Sequence, residues 1–146
     1  MAFALQAEGL WKLYESGESV IHAVQDVSLS IEQGSMVAIM GPSGCGKTTL
    51  LNVLSGIDEP NTGTVMVNGE NLYGSSDDER TRVRGKHMGF IFQEFNLLPV
   101  MTALENVELP LLIQGKPASE ARQEATKART AVGLGDRLEH RPAELS

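Results

Sequence analysis

The residues best suited to chemistry are Gly41-Pro42-Ser43-Gly44-Cys45-Gly46-Lys47-Thr48-Thr49. Two glycines separated by four residues are followed by a lysine and a hydroxyl. Gly41, Gly44 and Gly46 let the backbone take angles that other residues resist, so main-chain N–H groups can close on phosphate oxygens. Lys47 supplies a positive charge for the β and γ phosphates of a nucleotide. The Thr48 hydroxyl suits Mg, which takes oxygen ligands and keeps several waters. An apolar run, Met36–Met40, leads into the stretch, and a helix-compatible run, Thr49–Leu54, leaves it. A phosphate-binding loop requires this strand–loop–helix order, because it wraps phosphates at a helix N-terminus. An ordinary glycine turn would explain neither Lys47 nor the helix.

The flanking elements follow from periodicity and punctuation. Residues 3–14 read as a strand, Val20–Val24 and Val27–Ile31 as two more. In the last, Val27, Leu29 and Ile31 share one face and Ser28 and Ser30 the other, the period of a half-buried antiparallel strand. Met36–Met40 and Met88–Phe92 read as buried strands. Gly56 stops the helix after the loop, and Asn68-Gly69 marks a hairpin. Ser76-x-x-Glu79 and Thr102-x-x-Glu105 are capping boxes. The first opens a helix to about Val83, the second one through Val107-Glu108 or beyond, until Pro110 disturbs it. Residues 118–132 form the clearest helix, with Ala118, Ala121, Ala125, Ala128 and Val132 on one face.

The chain has 146 residues, 41% hydrophobic and 21% charged, which places it among globular domains. Its net charge of −7 argues against a nucleic-acid partner. Residues 1–79 hold two basic residues, Lys12 and Lys47, against eleven acidic ones, and 80–146 hold ten against eight. The Arg80, Arg82, Arg84, Lys86 cluster reads as a solvated helix face beside Asp77, Asp78 and Glu79. Cys45 is the single cysteine, so no intrachain disulfide forms; it reads as a small loop side chain. There is neither a signal-peptide pattern nor a run of about 20 apolar residues, and a cytoplasmic location is expected.

Three further places carry a resemblance to the ATP-binding-cassette (ABC) ATPases. Gly9–Tyr14 stands where that family keeps an aromatic that stacks on adenine. Taken alone, Tyr14 reads equally well as a strand aromatic packed on the sheet; the resemblance assigns it to stacking. Phe92-Gln93 stands where the family has its glutamine loop, which implies that Gln93 contacts Mg and the attacking water and senses a membrane partner. His140–Ser146 resembles the approach to the signature motif, which begins Leu-Ser. The stretches 88–99 and 102–111 are similar to a bacterial subgroup that includes lipoprotein-releasing and macrolide-export ATPases. The resemblance covers essentially the whole chain. It implies an α/β phosphate-loop fold of ABC type over 1–146. An N-terminal antiparallel β subdomain and part of a parallel core sheet fill about 1–92, and the glutamine loop and a helical subdomain fill about 93–146.

The resemblance further implies an ATP-binding subunit of an ABC transporter. ATP would be held by Tyr14, Gly41, Ser43, Gly44, Cys45, Gly46, Lys47, Thr48 and Thr49, and Mg by Thr48 and Gln93. It implies a homodimer and a transmembrane permease contacted through about 94–132, which would hold the protein on the inner face of the membrane. The family's catalytic Glu, switch His and completed signature motif have no counterpart here. The 146 residues are therefore expected to be inactive in hydrolysis, to leave Met36–Met40 and Met88–Phe92 without the parallel neighbours that the resemblance places after residue 146, and to be part of a polypeptide roughly one and a half times as long. An ATP-binding regulatory module without turnover, another phosphate-loop enzyme such as a small-molecule kinase, and a non-transport ABC ATPase are the alternatives.

Overall fold

The computed structural model describes residues 2–145 other than Glu18 and Ser75, and only the backbone of Ser16. The chain divides into two compact units, Met1–Gly89 and Phe90–Ser146.

The first unit is built on a four-stranded antiparallel sheet of order β2-β1-β3-β4. Its strands are β1 (Phe3–Ser16), β2 (Ser19–Glu32), β3 (Thr62–Val67) and β4 (Glu70–Asn71). The two strands expected at 20–24 and 27–31 are one continuous strand, because bulges rather than a chain reversal absorb the breaks in alternation. One bulge lies where Lys12 pairs with Val24 but Leu13 with His22, leaving Ala23 as the extra residue. Along β2, Val27, Leu29 and Ile31 are half-buried while Ser28 and Ser30 are exposed, as the alternation requires. Asn68 (φ 48°) and Gly69 (φ 82°) make the tight turn between β3 and β4.

Helix α1 (Lys47–Ser55) leaves the glycine-rich loop and ends at Gly56. Helix α2 (Asp77–His87) is capped by the Ser76 side chain, which accepts from Glu79 N–H. It runs to His87, a turn beyond the expected end near Val83. Acidic residues fill its first turn and basic ones its last, complementing the helix dipole. Ala7, Leu10, Val24, Val53, Leu54, Val65, Val67, Leu72 and Val83 form one core, to which the sheet, α1 and α2 all contribute. Three members of the basic cluster on α2 are ion-paired, Arg80 to Asp77 and Glu59, Arg82 to Glu79 and Glu70, and Lys86 to Glu70, while Arg84 donates to the Gly56 carbonyl at 2.7 Å.

Neither Met36–Met40 nor Met88–Phe92 forms a strand. Among the described residues, no backbone hydrogen bond reaches 36–40. Met36 is 99% exposed and Ile91 102%, so the expected burial is corrected as well. A strand exists only through the ladder it shares with a neighbour, and no described residue pairs with either segment.

The second unit packs α3 (Ala103–Ile113) on α4 (Ala118–Ala131), followed by 3-10 turns at Gly135–Arg137 and Pro142–Glu144. The Thr102/Glu105 capping box forms in full. Pro110 does not end α3, which continues to Ile113; the docked face of Ala103, Leu104 and Glu108 outweighs the local break. On α4 the buried residues are Ala121, Ala125 and Arg129, while Ala118, Ala128 and Val132 are exposed. The apolar stripe read from the sequence is thus corrected to an i, i+4 line, which ends on an arginine whose Nη2 donates to the Arg137 carbonyl at 3.4 Å. Among the described residues, no helix is long and apolar enough to cross a membrane.

Candidate functional site

The site grows from the start of α1. The N-cap is Gly46 at φ 87°, with no side-chain cap and no acidic residue in the first turn. The first N–H groups of a helix have no intrahelical partner, and here no side chain competes for them. Together with the helix dipole they favour an anion. Lys47 folds back across the loop. Its Nζ donates to the carbonyls of Gly41 at 3.0 Å and Pro42 at 2.7 Å and lies 3.7 Å from Cys45 Sγ. Its ammonium is therefore held over the loop by carbonyl oxygens.

The loop forms one wall of an open recess of about 690 Å³. Ser43 to Thr49, Tyr14 and residues 21–25 of β2 all line it. Tyr14 and the loop, 27 residues or more apart in sequence, thus share one concavity. Thr48 is exposed and Thr49 half-buried. The Tyr14 hydroxyl donates to Asp58 Oδ2 at 2.6 Å. That bond to a carboxylate raises the Tyr14 phenol above its ordinary value, with burial acting the same way. Burial pushes the Asp58 carboxyl up, but hydrogen bonds from Lys12 and Tyr14 outweigh it and hold the group below its usual value.

Gln93 belongs to the second unit and stands exposed on a bend, just after Phe90 and Phe92, whose rings stack with centroids 5.8 Å apart. Of the expected start of the signature motif, Leu145 is half-buried and Ser146 lies outside the described residues. His22 is exposed against the edge of Trp11, and His87 stands 2.9 Å from Glu70 Oε1.

The donor set fits a nucleoside triphosphate with Mg. It offers a helix start with no side-chain cap, the Lys47 ammonium folded over the loop, an exposed Thr48 and an aromatic in the same recess. Sequence reasoning missed Lys12 and Asp58. Lys12 was within reach, since it shares a strand face with Tyr14 by period 2. Asp58, 44 residues from Tyr14, carried no local signal.

The model of the family described as "ABC transporter" matches residues 24–146. The chain belongs to the ABC transporter family. It is 47% identical over 142 residues to an uncharacterized ABC transporter ATP-binding protein of Methanocaldococcus jannaschii, MJ1508, covering 97% of this chain and 63% of that one. Identity to the lipoprotein-releasing system ATP-binding protein LolD of Pseudomonas fluorescens is also 47%, with the same coverage. The macrolide export ATP-binding/permease protein MacB 1 of Yersinia pestis is 44% identical over all 146 residues, which span 22% of its length. Among solved structures, the ATP-binding cassette MJ0796, dimeric and bound to ADP and Pi, superposes with a TM-score of 0.89 at 39% identity, over 97% of this chain and 63% of that one. The fold is that of the ABC-type phosphate-loop ATPases. The chain spans less than two thirds of the length of these relatives.

Proposed function

We propose that the chain is the ATP-binding part of an ABC transporter's nucleotide-binding subunit, and that residues 41–49 with Tyr14 form its half of the nucleotide site. The observation that carries this reading is the shared recess, lined by Lys47, the uncapped start of α1 and Tyr14. In it, main-chain N–H groups of 46–49 and the Lys47 ammonium hold phosphate oxygens, Thr48 offers its hydroxyl to Mg, and Tyr14 faces the base. When bound, Mg held by the Thr48 hydroxyl would offset the charge of the phosphates. Gln93 is assigned to the Mg and water side of the site in the assembled protein. The similarity to LolD and MacB supports an export-type permease as the membrane partner. The dimeric cassette MJ0796 supports a homodimer. The helical region 94–132 is assigned to the permease, which holds the protein at the inner face of the membrane. Hydrolysis is assigned to the intact polypeptide.

Titration with Mg-ATP tests the binding reading. Lys47→Ala removes charge-assisted bonds and is expected to weaken ATP by roughly tenfold or more, while inorganic tripolyphosphate competes with ATP on the unsubstituted protein. Equal affinity in the two proteins, or no competition, sinks the assignment. Steady-state ATPase of the intact protein, with turnover above background, separates a transport ATPase from a regulatory module that binds without turnover.

A further inference from the structure

Tyr14 stands near the end of β1, 37% exposed, where a side chain would ordinarily rotate freely. Here it is held on two sides. Its hydroxyl donates to Asp58 Oδ2 at 2.6 Å. The Lys12 ammonium lies over the ring, 5.0 Å from the centroid, and donates to Asp58 Oδ1 at 2.7 Å and to the Glu59 carbonyl at 2.8 Å. Asp58 is itself fixed through its backbone. Its N–H donates to Asn52 O at 3.1 Å, and its carbonyl accepts from the Tyr73 hydroxyl at 2.6 Å. The turn that carries it is laced to β1 by Asn61 N–H on Trp11 O at 2.8 Å and by Leu13 N–H on Asn61 Oδ1 at 2.7 Å.

We propose that Asp58 and Lys12 form a clamp that sets the Tyr14 ring as the base-facing wall of the recess, making Asp58 a positioning residue for the base of the bound nucleotide. This inference rests on the reading of Tyr14 as the stacking aromatic. Lys12 takes one face of the ring, so a base stacks on the other. Asp58 follows the C-terminus of α1, whose N-terminus carries the phosphate loop. A fixed ring binds better than a mobile one, because the rotamer freedom is already lost before the nucleotide arrives.

The test compares a ligand with a base to one without, on the intact protein, with Mg-ATP and Mg-tripolyphosphate each titrated against a fluorescent nucleotide. Tyr14→Ala is expected to weaken ATP and leave tripolyphosphate unchanged. Asp58→Ala is expected to weaken ATP by about fivefold, again with tripolyphosphate unchanged. Asp58→Asn, whose amide oxygen still accepts the tyrosine hydroxyl, recovers most of the loss. Tyr14→Phe deletes the hydroxyl alone and should match Asp58→Ala, so it carries the comparison if Asp58→Ala does not fold. If Tyr14→Ala weakens ATP while Asp58→Ala and Tyr14→Phe do not, the clamp is overturned and the stacking role stands. Should Asp58→Ala weaken both ligands alike, Asp58 is merely structural and the clamp is again overturned. No effect of Tyr14→Ala on ATP overturns the stacking reading and the clamp with it.

Discussion

A Cβ added at Gly46 would sit 2.2 Å from the carbonyl oxygen of Ala23, the extra residue of the bulge on β2. The phosphate loop is thus seated against a strand more than twenty residues earlier, and Gly46 is required twice over, for this approach and for its φ of 87°. Gly46→Ala must displace either the β2 backbone or the start of α1. It is expected to cost about 1–3 kcal/mol of stability and to abolish measurable tripolyphosphate binding. Thermal unfolding and ligand titration read the two effects; unchanged tripolyphosphate affinity would count against this seating.

Glu70 ties the β3–β4 hairpin to α2 and gives unit 1 an acid-sensitive joint. Hydrogen bonds from Lys86, His87 and Arg82 pull its carboxyl from 4.5 down to about 2. A depressed carboxyl contributes stability that is fully present above its unfolded value and is lost as pH falls through the folded one. The contribution of Glu70 should therefore hold above about pH 4.5 and disappear between 4.5 and 2. Glu70→Gln is expected to lower stability at neutral pH and to flatten the fall across that window. Denaturant unfolding at several pH values gives the two curves. Parallel curves for the two proteins would remove Glu70 from the account; Asp58, also depressed, has neither Glu70 nor its partners among its causes and contributes to both.

Asn106 pins the segment before α3 with one side chain. Its Oδ1 accepts from Leu98 N–H at 2.8 Å, and its Nδ2 donates to the carbonyls of Leu98, Met101 and Thr102 at 3.1, 3.3 and 2.9 Å. Asn106→Ala leaves four groups without these partners. The Leu98 amide is expected to exchange with solvent about tenfold faster or more, while α4 amides keep their protection. Asn106→Asp retains the acceptor for Leu98 N–H and should fall between. Unaltered exchange at Leu98 in Asn106→Ala would show that the segment is held by something else.

The parts legible in the sequence are those decided within a few residues. The loop at 41–49, the Asn68-Gly69 turn and the Thr102/Glu105 box each bring their own partners, so the types and spacing alone set the geometry. The period-2 face of Val27, Leu29 and Ile31 held for the same reason. The parts that were not legible depend on something distant. Met36–Met40 has the composition of a buried strand, yet burial needs a neighbouring strand, and composition does not supply one. On α4 the helix itself was plain, but which residues face inward was settled by α3 and the turn at Gly135–Arg137, which drew in Arg129 in place of Ala128.

By itself, the sequence determined the glycine-rich loop of a phosphate-loop fold, because the backbone angles of Gly46 and the start of α1 at Lys47 are set by local chemistry. Only the tertiary structure decided what surrounds that loop. It brought Tyr14 into the same recess, placed Asp58 under its hydroxyl from 44 residues away, and set Ala23 against Gly46. Contacts across such separations arise from how the sheet and α1 pack, and no spacing along the chain encodes them.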